Sequence, residues 1–237
     1  MLEELNLDYE VVLFQRDENR FAPPELEKVH PLGKSPAIGI TFPGQEKETV
    51  LVESGFIAQY LCEHFAHGTK IAVPPRYRPG EEGKPGGETE AWMRYQYLLH
   101  YAEGSLMPPF TVALLLNVMK GPKIPFILRP VASLLADKLY TAFVKPNVTK
   151  HLSFLEGQLE TAPNGGPYIC GEDLTAVDIL LSFPLGIAPA RFGGLEKGNV
   201  LGPYKRVQAY SERLEKNEGY KRAKDRVEKL EAAGKAT

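Results

Sequence analysis

The chain predicts an α+β protein in two parts, a small α/β N-terminal domain and an all-helical C-terminal domain. Three observations carry that prediction. Residues 1–67 alternate short apolar runs with turn residues. Residues 68–89 are dense in proline and glycine and read as a linker. Across 90–237 apolar residues recur at helical spacing. With 237 residues there is enough chain for two small domains and a sizeable core.

The elements follow in order. Leu2–Leu7 reads as the end of a helix and Tyr9–Gln15, with Val11, Val12, Leu13 and Phe14, as a strand. Pro24–Val29 is a short helix with proline at its start. Ala37–Phe42 and Thr49–Val52 are strands joined by the turn Pro43-Gly44-Gln45-Glu46. Phe56, Ile57, Tyr60, Leu61 and Phe65 then mark one helix. The linker holds Pro74, Pro75, Pro79 and Pro85 among its glycines, a composition no regular element tolerates. Beyond it, Trp92, Tyr95, Leu98, Leu99 and Ala102 mark a helix expected to bend at Pro108-Pro109. Val131–Leu159 is a second, interrupted at Pro146, and Thr175–Leu185, Tyr204–Leu214 and Tyr220–Leu230 are three more.

Composition narrows the function classes. A net charge of −2 and a pI near 6.3 give, over the whole chain, no electrostatic case for nucleic acid or an acidic membrane surface. Cys62 and Cys170 lie far apart without metal spacing, which points to free buried thiols in a reducing compartment, with a single disulfide as the other reading. The start Met1-Leu2-Glu3-Glu4 carries no signal pattern, so the cytoplasm is the expected location. The apolar run Ser105–Met119 is too short for a membrane span and contains Pro108-Pro109, so a buried helix is expected, a peripheral membrane contact being the other reading.

Two motifs carry chemistry. The run Thr49-Val50-Leu51-Val52 feeds into Glu53-Ser54 at the start of a helix. Helix amides and the Ser54 hydroxyl can hold a carboxylate, and Glu53 can hold a neighbouring ammonium, which suits a small zwitterion. Taken alone, Ser54 is an N-cap. Some twenty residues earlier stands Gly33-Lys34-Ser35-Pro36-Ala37, a proline just ahead of an apolar strand. Thr175-Ala176-Val177-Asp178 is a capping box, in which Thr175 accepts from the backbone near Asp178 and Asp178 reaches back. Glu63-His64-Phe65-Ala66-His67 lacks metalloprotease spacing, and Gly193-Gly194 lacks a nucleotide loop's setting, so no metal is expected.

Together these motifs resemble the glutathione transferases, most closely the fungal type associated with the endoplasmic reticulum in yeast. Leu5–Glu10, Arg20–Leu26, His30–Pro36, Tyr101–Pro109 and Gly171–Leu185 carry the resemblance, which spans the chain. It implies a thioredoxin-like N-terminal domain in which Ser35-Pro36 is the cis-proline loop. Lys34, Ser35, Pro36, Glu53 and Ser54 would then anchor glutathione, the co-substrate, Lys34 meeting its glycine carboxylate. Tyr97, Tyr101 and Met107 are implied for the electrophile pocket, with core packing as the alternative. Glu103 would reach a partner subunit's ligand in a homodimer. The implied activity is detoxifying conjugation of the glutathione thiolate to small hydrophobic electrophiles, by a cytoplasmic or peripherally endoplasmic-reticulum-associated protein.

In this family a β-strand and a loop precede the first helix, and Met1–Leu5 matches that helix's latter half. The first strand is therefore expected to be missing, together with the loop whose Ser, Tyr or Cys faces the glutathione sulfur. No catalytic residue is assigned. A non-catalytic binding or scaffold protein is the alternative function, and a thiol-exchange or peroxidase enzyme a third.

Overall fold

The structure is a computed structural model describing residues 1–17, 22–192, 195 and 198–234. The chain divides into two compact units, Met1–Ile71 and Ala72–Thr237.

The first unit begins with a helical turn. Leu5 N–H donates to the Met1 carbonyl at 3.0 Å, and Leu7 N–H reaches back to Leu2 at 3.1 Å across Asn6, whose φ is 51°. A left-handed residue followed by a six-to-one hydrogen bond closes a helix C-terminus, as the sequence predicts for Leu2–Leu7. The strand expected at Tyr9–Gln15 does not form. An apolar extended run becomes a strand only where a neighbour takes its hydrogen bonds, and among the described residues the sheet contains β1 and β2 alone. Helix α1, Glu25–Val29, follows Pro24 and buries Leu26. Arg20 and Phe21 of the preceding motif lie outside the described residues.

Strands β1 (Ala37–Ile40) and β2 (Thr49–Val52) pair antiparallel, with Ala37 opposite Val52 and Ile40 opposite Thr49. The first strand stops short of the predicted Phe42 because that carbonyl accepts from Gln45 N–H in the turn, at 3.0 Å. Helix α2, Ser54–Phe65, leads directly out of β2 and buries Ile57, Ala58, Leu61 and Cys62 along one stripe.

In the second unit, residues 72–89 form an ordered loop held by their own backbone. Tyr77 bridges Glu88, and the Arg78 guanidinium donates to the Gly86 and Glu88 carbonyls at 2.6 and 3.0 Å. The Thr89 hydroxyl donates to the Pro75 carbonyl and accepts from Trp92 N–H at 3.1 Å, which caps the next helix.

That helix runs from α3 (Glu90–Tyr101) through a π-turn (Ala102–Leu106) into α4 (Met107–Met119). Instead of bending sharply at Pro108-Pro109, the chain widens by one residue just before them, with Met107 N–H donating to the Ala102 carbonyl. Proline has no N–H to give to the carbonyl four residues back and clashes with it, and a π-turn relieves both problems. The arrangement recurs at Pro146. Helix α5 (Arg129–Leu139) continues through a π-turn (Tyr140–Val144) into α6 (Lys145–Glu160).

The 30-residue helix Glu90–Met119 is long and apolar enough to cross a membrane by length and composition alone, with a mean hydropathy of 1.2 in its most apolar window. Tyr95, Leu98, Ala102, Leu106, Phe110, Ala113 and Leu116 form a buried stripe along one side, the pattern of an amphipathic helix with one face in the core. Helix α7, Ala176–Phe192, packs against α3 and α4, and Phe192 meets Phe110 edge-on at 5.0 Å. Helices α8 (Lys205–Glu215) and α9 (Glu218–Gly234) complete the unit.

Asp178 is fully buried near the start of α7. It accepts from Ile169 N–H at 3.1 Å, from Thr175 N–H and hydroxyl at 2.7 Å each, and from the Tyr210 hydroxyl at 2.6 Å. The reach back to Thr175 is as predicted. The Thr175 hydroxyl, however, donates to the carboxylate instead of accepting from the helix backbone, because the buried anion is the stronger acceptor. Desolvation raises the Asp178 carboxyl from its usual range, against the opposing pull of these donors.

Candidate functional site

The hairpin register determines which of the sequence-predicted residues meet. Because Ala37 stands opposite Val52, the next residues outward, Pro36 and Glu53, share one end of the hairpin. Ser35-Pro36 is a cis peptide there, and Ser54 begins α2. Lys34, Ser35, Pro36 and Glu53 are all exposed, and Ser54 is half-buried. The structure therefore brings Ser35, Pro36, Glu53 and Ser54 to one edge of the first unit, with Lys34 next in the chain.

Glu53, not Ser54, occupies the N-cap position of α2, and Ser54 is the first helical residue. The reason is conformational. The backbone at Glu53 has φ 70° and ψ 113°, a turn out of the strand that leaves Ser54 already helical. Positive φ is sterically unfavourable for a residue with a Cβ. The Glu53 side chain caps nothing, and among the described residues neither it nor Lys34 is engaged in an ion pair. One edge thus presents an uncommitted carboxylate, a helix N-terminus with donors left outside the helical ladder, and an ammonium. Such a set complements a ligand carrying both an ammonium and carboxylates.

In the second unit, Tyr97, Tyr101 and Met107 separate into different roles. Tyr97 is more than half exposed and stacks on Tyr101 at 5.8 Å. Tyr101 is buried, and its hydroxyl lies 2.8 Å from His151 Nδ1. Phe154 closes the cluster, 5.1 Å from Tyr101 and 5.9 Å from Tyr97. Met107 is partly buried at the first position of α4. Desolvation raises the Tyr101 phenol well above its ordinary value and lowers the His151 imidazole, so both are neutral near pH 7. His151 and Phe154 were not foreseen from sequence. They stand about fifty residues beyond Tyr101 on α6, and nothing local connects them. Glu103 is exposed on the π-turn.

Neither cysteine is in a disulfide, and both are buried. Burial, and then the Asp178 charge, push the Cys170 thiol up to about 12, and Cys62 is enclosed in the middle of α2. Neither has the exposed, electropositive setting of a reactive thiolate. Gly193-Gly194 lies outside the described residues.

Comparison with known proteins gives the same reading for both units. A model of the glutathione S-transferase N-terminal domain matches residues 1–63, and one of the glutathione S-transferase C-terminal domain matches residues 129–222. Glutathione S-transferase 1 of Saccharomyces cerevisiae is 33% identical over 230 residues, covering 97% of this chain and 89% of its own. A glutathione S-transferase from Actinobacillus pleuropneumoniae superposes with a TM-score of 0.61 at 26% identity, covering 95% of this chain and 84% of that one. A glutathione transferase from Phanerochaete chrysosporium, solved with oxidized glutathione, has the same fold, with a TM-score of 0.67 at 21% identity over 98% and 88% of the two chains. A thioredoxin-like N-terminal unit with a short sheet, an all-helical C-terminal unit, and a cis-proline loop beside a Glu-Ser helix start meet in one chain, which belongs to the glutathione S-transferase family.

Proposed function

We propose that this chain binds glutathione at the Lys34-Ser35-Pro36 and Glu53-Ser54 edge and conjugates its thiolate to small hydrophobic electrophiles. The observation that carries the proposal is the convergence of the cis-proline loop and the strained, uncommitted Glu53 at one end of the hairpin. Glu53 pairs with the γ-glutamyl ammonium, the start of α2 and Ser54 hold the adjacent carboxylate, and Lys34 meets the glycine carboxylate. The backbone of Ser35, beside the cis-proline, pairs with the cysteinyl part of the ligand as an added strand does. The solved relative from Phanerochaete chrysosporium, bound to oxidized glutathione, supports the ligand class.

The reactive species is the thiolate. A free thiol titrates near 8.5, so only a small fraction is ionised at neutral pH, and each unit of pKa depression corresponds to about 1.4 kcal/mol. An apolar pocket beside Tyr97 and Met107 would receive the electrophile. The two unbridged cysteines support a reducing, cytoplasmic setting, and assembly as a homodimer is proposed with the family.

Calorimetric titration with glutathione, beside Glu53→Ala/Ser54→Ala and Lys34→Ala, tests the site. Each lost charge-assisted contact should weaken binding about tenfold or more. Turnover of a chromogenic electrophile then tests the chemistry. Binding without turnover would favour the non-catalytic reading, and wild-type binding by the double variant would remove these residues from the site.

A further inference from the structure

We propose that His151 decides which substrates the aromatic cluster of α3 and α6 accepts, by offering its Nε2–H to an oxygen acceptor on a flat, ring-bearing electrophile. The inference rests on reading that cluster as the electrophile's pocket, and it adds to that reading a specificity-determining residue and a preference.

The donor is fixed by its neighbour. Tyr101 is buried, and among the described residues its hydroxyl has one hydrogen-bond partner, His151 Nδ1 at 2.8 Å. A buried phenol whose proton met no acceptor would bear the full desolvation penalty of that group. Tyr101 therefore donates to Nδ1. Burial keeps the imidazole neutral near neutral pH, and a neutral imidazole that accepts at one nitrogen carries its proton on the other. His151 is thus held as the Nε2–H tautomer, and the geometry of the ring directs that N–H away from Tyr101. Nε2 meets no acceptor among the described residues. The one side-chain nitrogen or oxygen there that is both buried and unpartnered is Glu4 Oε1. Nε2–H is therefore open to a ligand.

The surroundings of this donor are aromatic. Tyr97 and Tyr101 stand four residues apart on α3, and His151 and Phe154 three apart on α6, so each pair shares a helix face. Tyr97 stacks on Tyr101 with the ring planes 24° apart, and Phe154 stands edge-on to Tyr97 at 70°. The His151 ring lies 5.5 Å from that of Tyr101. Tyr97 is more than half exposed, so the cluster offers a ring surface and an N–H together. A flat ring gains by packing against such a surface. A hydrocarbon covering Nε2–H would leave the donor unpaired, whereas an oxygen conjugated to the ring satisfies it. A site with such a donor discriminates against the analogue that lacks the acceptor. Aryl compounds with a conjugated carbonyl are the class that meets both demands.

The test measures binding to the full chain without glutathione, by nuclear magnetic resonance, so that it is independent of conjugation. The probes are benzalacetone, an aryl ring conjugated to a ketone, and propenylbenzene, the same ring and alkene without the carbonyl. In the wild type the His151 ring should be protonated at Nε2 alone, and benzalacetone should shift that signal. His151→Leu/Tyr101→Phe removes both partners of the bond and so leaves neither stranded. It should lower the affinity for benzalacetone relative to propenylbenzene about fivefold. Phe154→Ala should weaken both probes alike, about fivefold. Tyr101→Phe alone should let the His151 proton occupy either nitrogen, which the ring nitrogen resonances report and which a merely structural tyrosine would not change. Circular dichroism confirms that each variant is folded. An unchanged preference in the folded double variant would overturn the proposal, as would a wild type that binds neither probe or carries the His151 proton on Nδ1. The full preference without any conjugating activity would uphold the role of His151 as donor while removing the transferase reading, so the two fail separately.

Discussion

Asp178→Ala is the most decisive perturbation of the helical unit. The carboxylate accepts four hydrogen bonds at 2.6 to 3.1 Å in a site closed to water. Truncation strands the Tyr210 hydroxyl and the Ile169 and Thr175 amides, each at about 1–3 kcal/mol. The Thr175 hydroxyl can rotate to another acceptor. Part of the loss is offset because a desolvated carboxylate, whose pKa is raised here, is itself costly to bury. The net loss is about 4 kcal/mol, equivalent to roughly 12 °C in Tm for a unit of this size. Urea unfolding followed by tryptophan fluorescence measures it through Trp92. Tyr210→Phe removes the shortest of the four bonds and should cost about 2 kcal/mol in the wild type but almost nothing beside Asp178→Ala, a coupling of more than about 1 kcal/mol. A loss below about 1 kcal/mol for Asp178→Ala would refute the reasoning and make the carboxylate a bystander in a helix held by packing.

The His151 imidazole, lowered by burial, binds fewer protons folded than unfolded. Its contribution to stability is therefore complete above about pH 6.5 and is lost as pH falls below that value. His151→Asn should flatten the slope of unfolding free energy against pH between about 5 and 7. Both cysteines should resist a water-soluble disulfide reagent in the native state and react together in denaturant, given their burial and the raised Cys170 thiol; rapid native labelling would contradict the burial. A Cβ added at Gly166 would meet the backbone of Gly171, which cannot move aside, so Gly166→Ala should cost about 2 kcal/mol in urea unfolding. At Gly39 the obstacle is the flexible Glu48 side chain, so the same substitution should cost under about 0.5 kcal/mol.

What was legible in the sequence was local. The hairpin, the α2 stripe and the reach of Asp178 back to Thr175 depend on residues close together in the chain, where turn chemistry and periodicity apply; the cis-proline loop came from the family resemblance, since a proline ahead of a strand is by itself only rarely cis. Misreadings arose where a distant partner or a backbone angle decides. Tyr9–Gln15 has the apolar pattern of a strand, and pattern does not reveal whether a ladder neighbour exists. Ser54 looked like the N-cap because serine favours that role, whereas the positive φ of Glu53 moves the helix start by one residue. Prolines at 108 and 146 announced an interruption, but whether a helix breaks or widens is settled by the packing on either side. Tyr101 could be named from its helix, and its partner His151 could not.

The backbone of Glu53 also bears on how this chain tolerates mutation. Holding a glutamate at φ 70° costs on the order of 1 kcal/mol that glycine would not incur. A lineage selected for stability alone would find glycine at this position within one substitution step, since the codons of the two residues differ at a single base. A library screened only for thermal resistance should therefore enrich Glu53→Gly, and one screened for retention on immobilised glutathione should deplete it. The opposite drift of a single residue under two selections would measure how much stability this protein forgoes to keep a carboxylate where it stands.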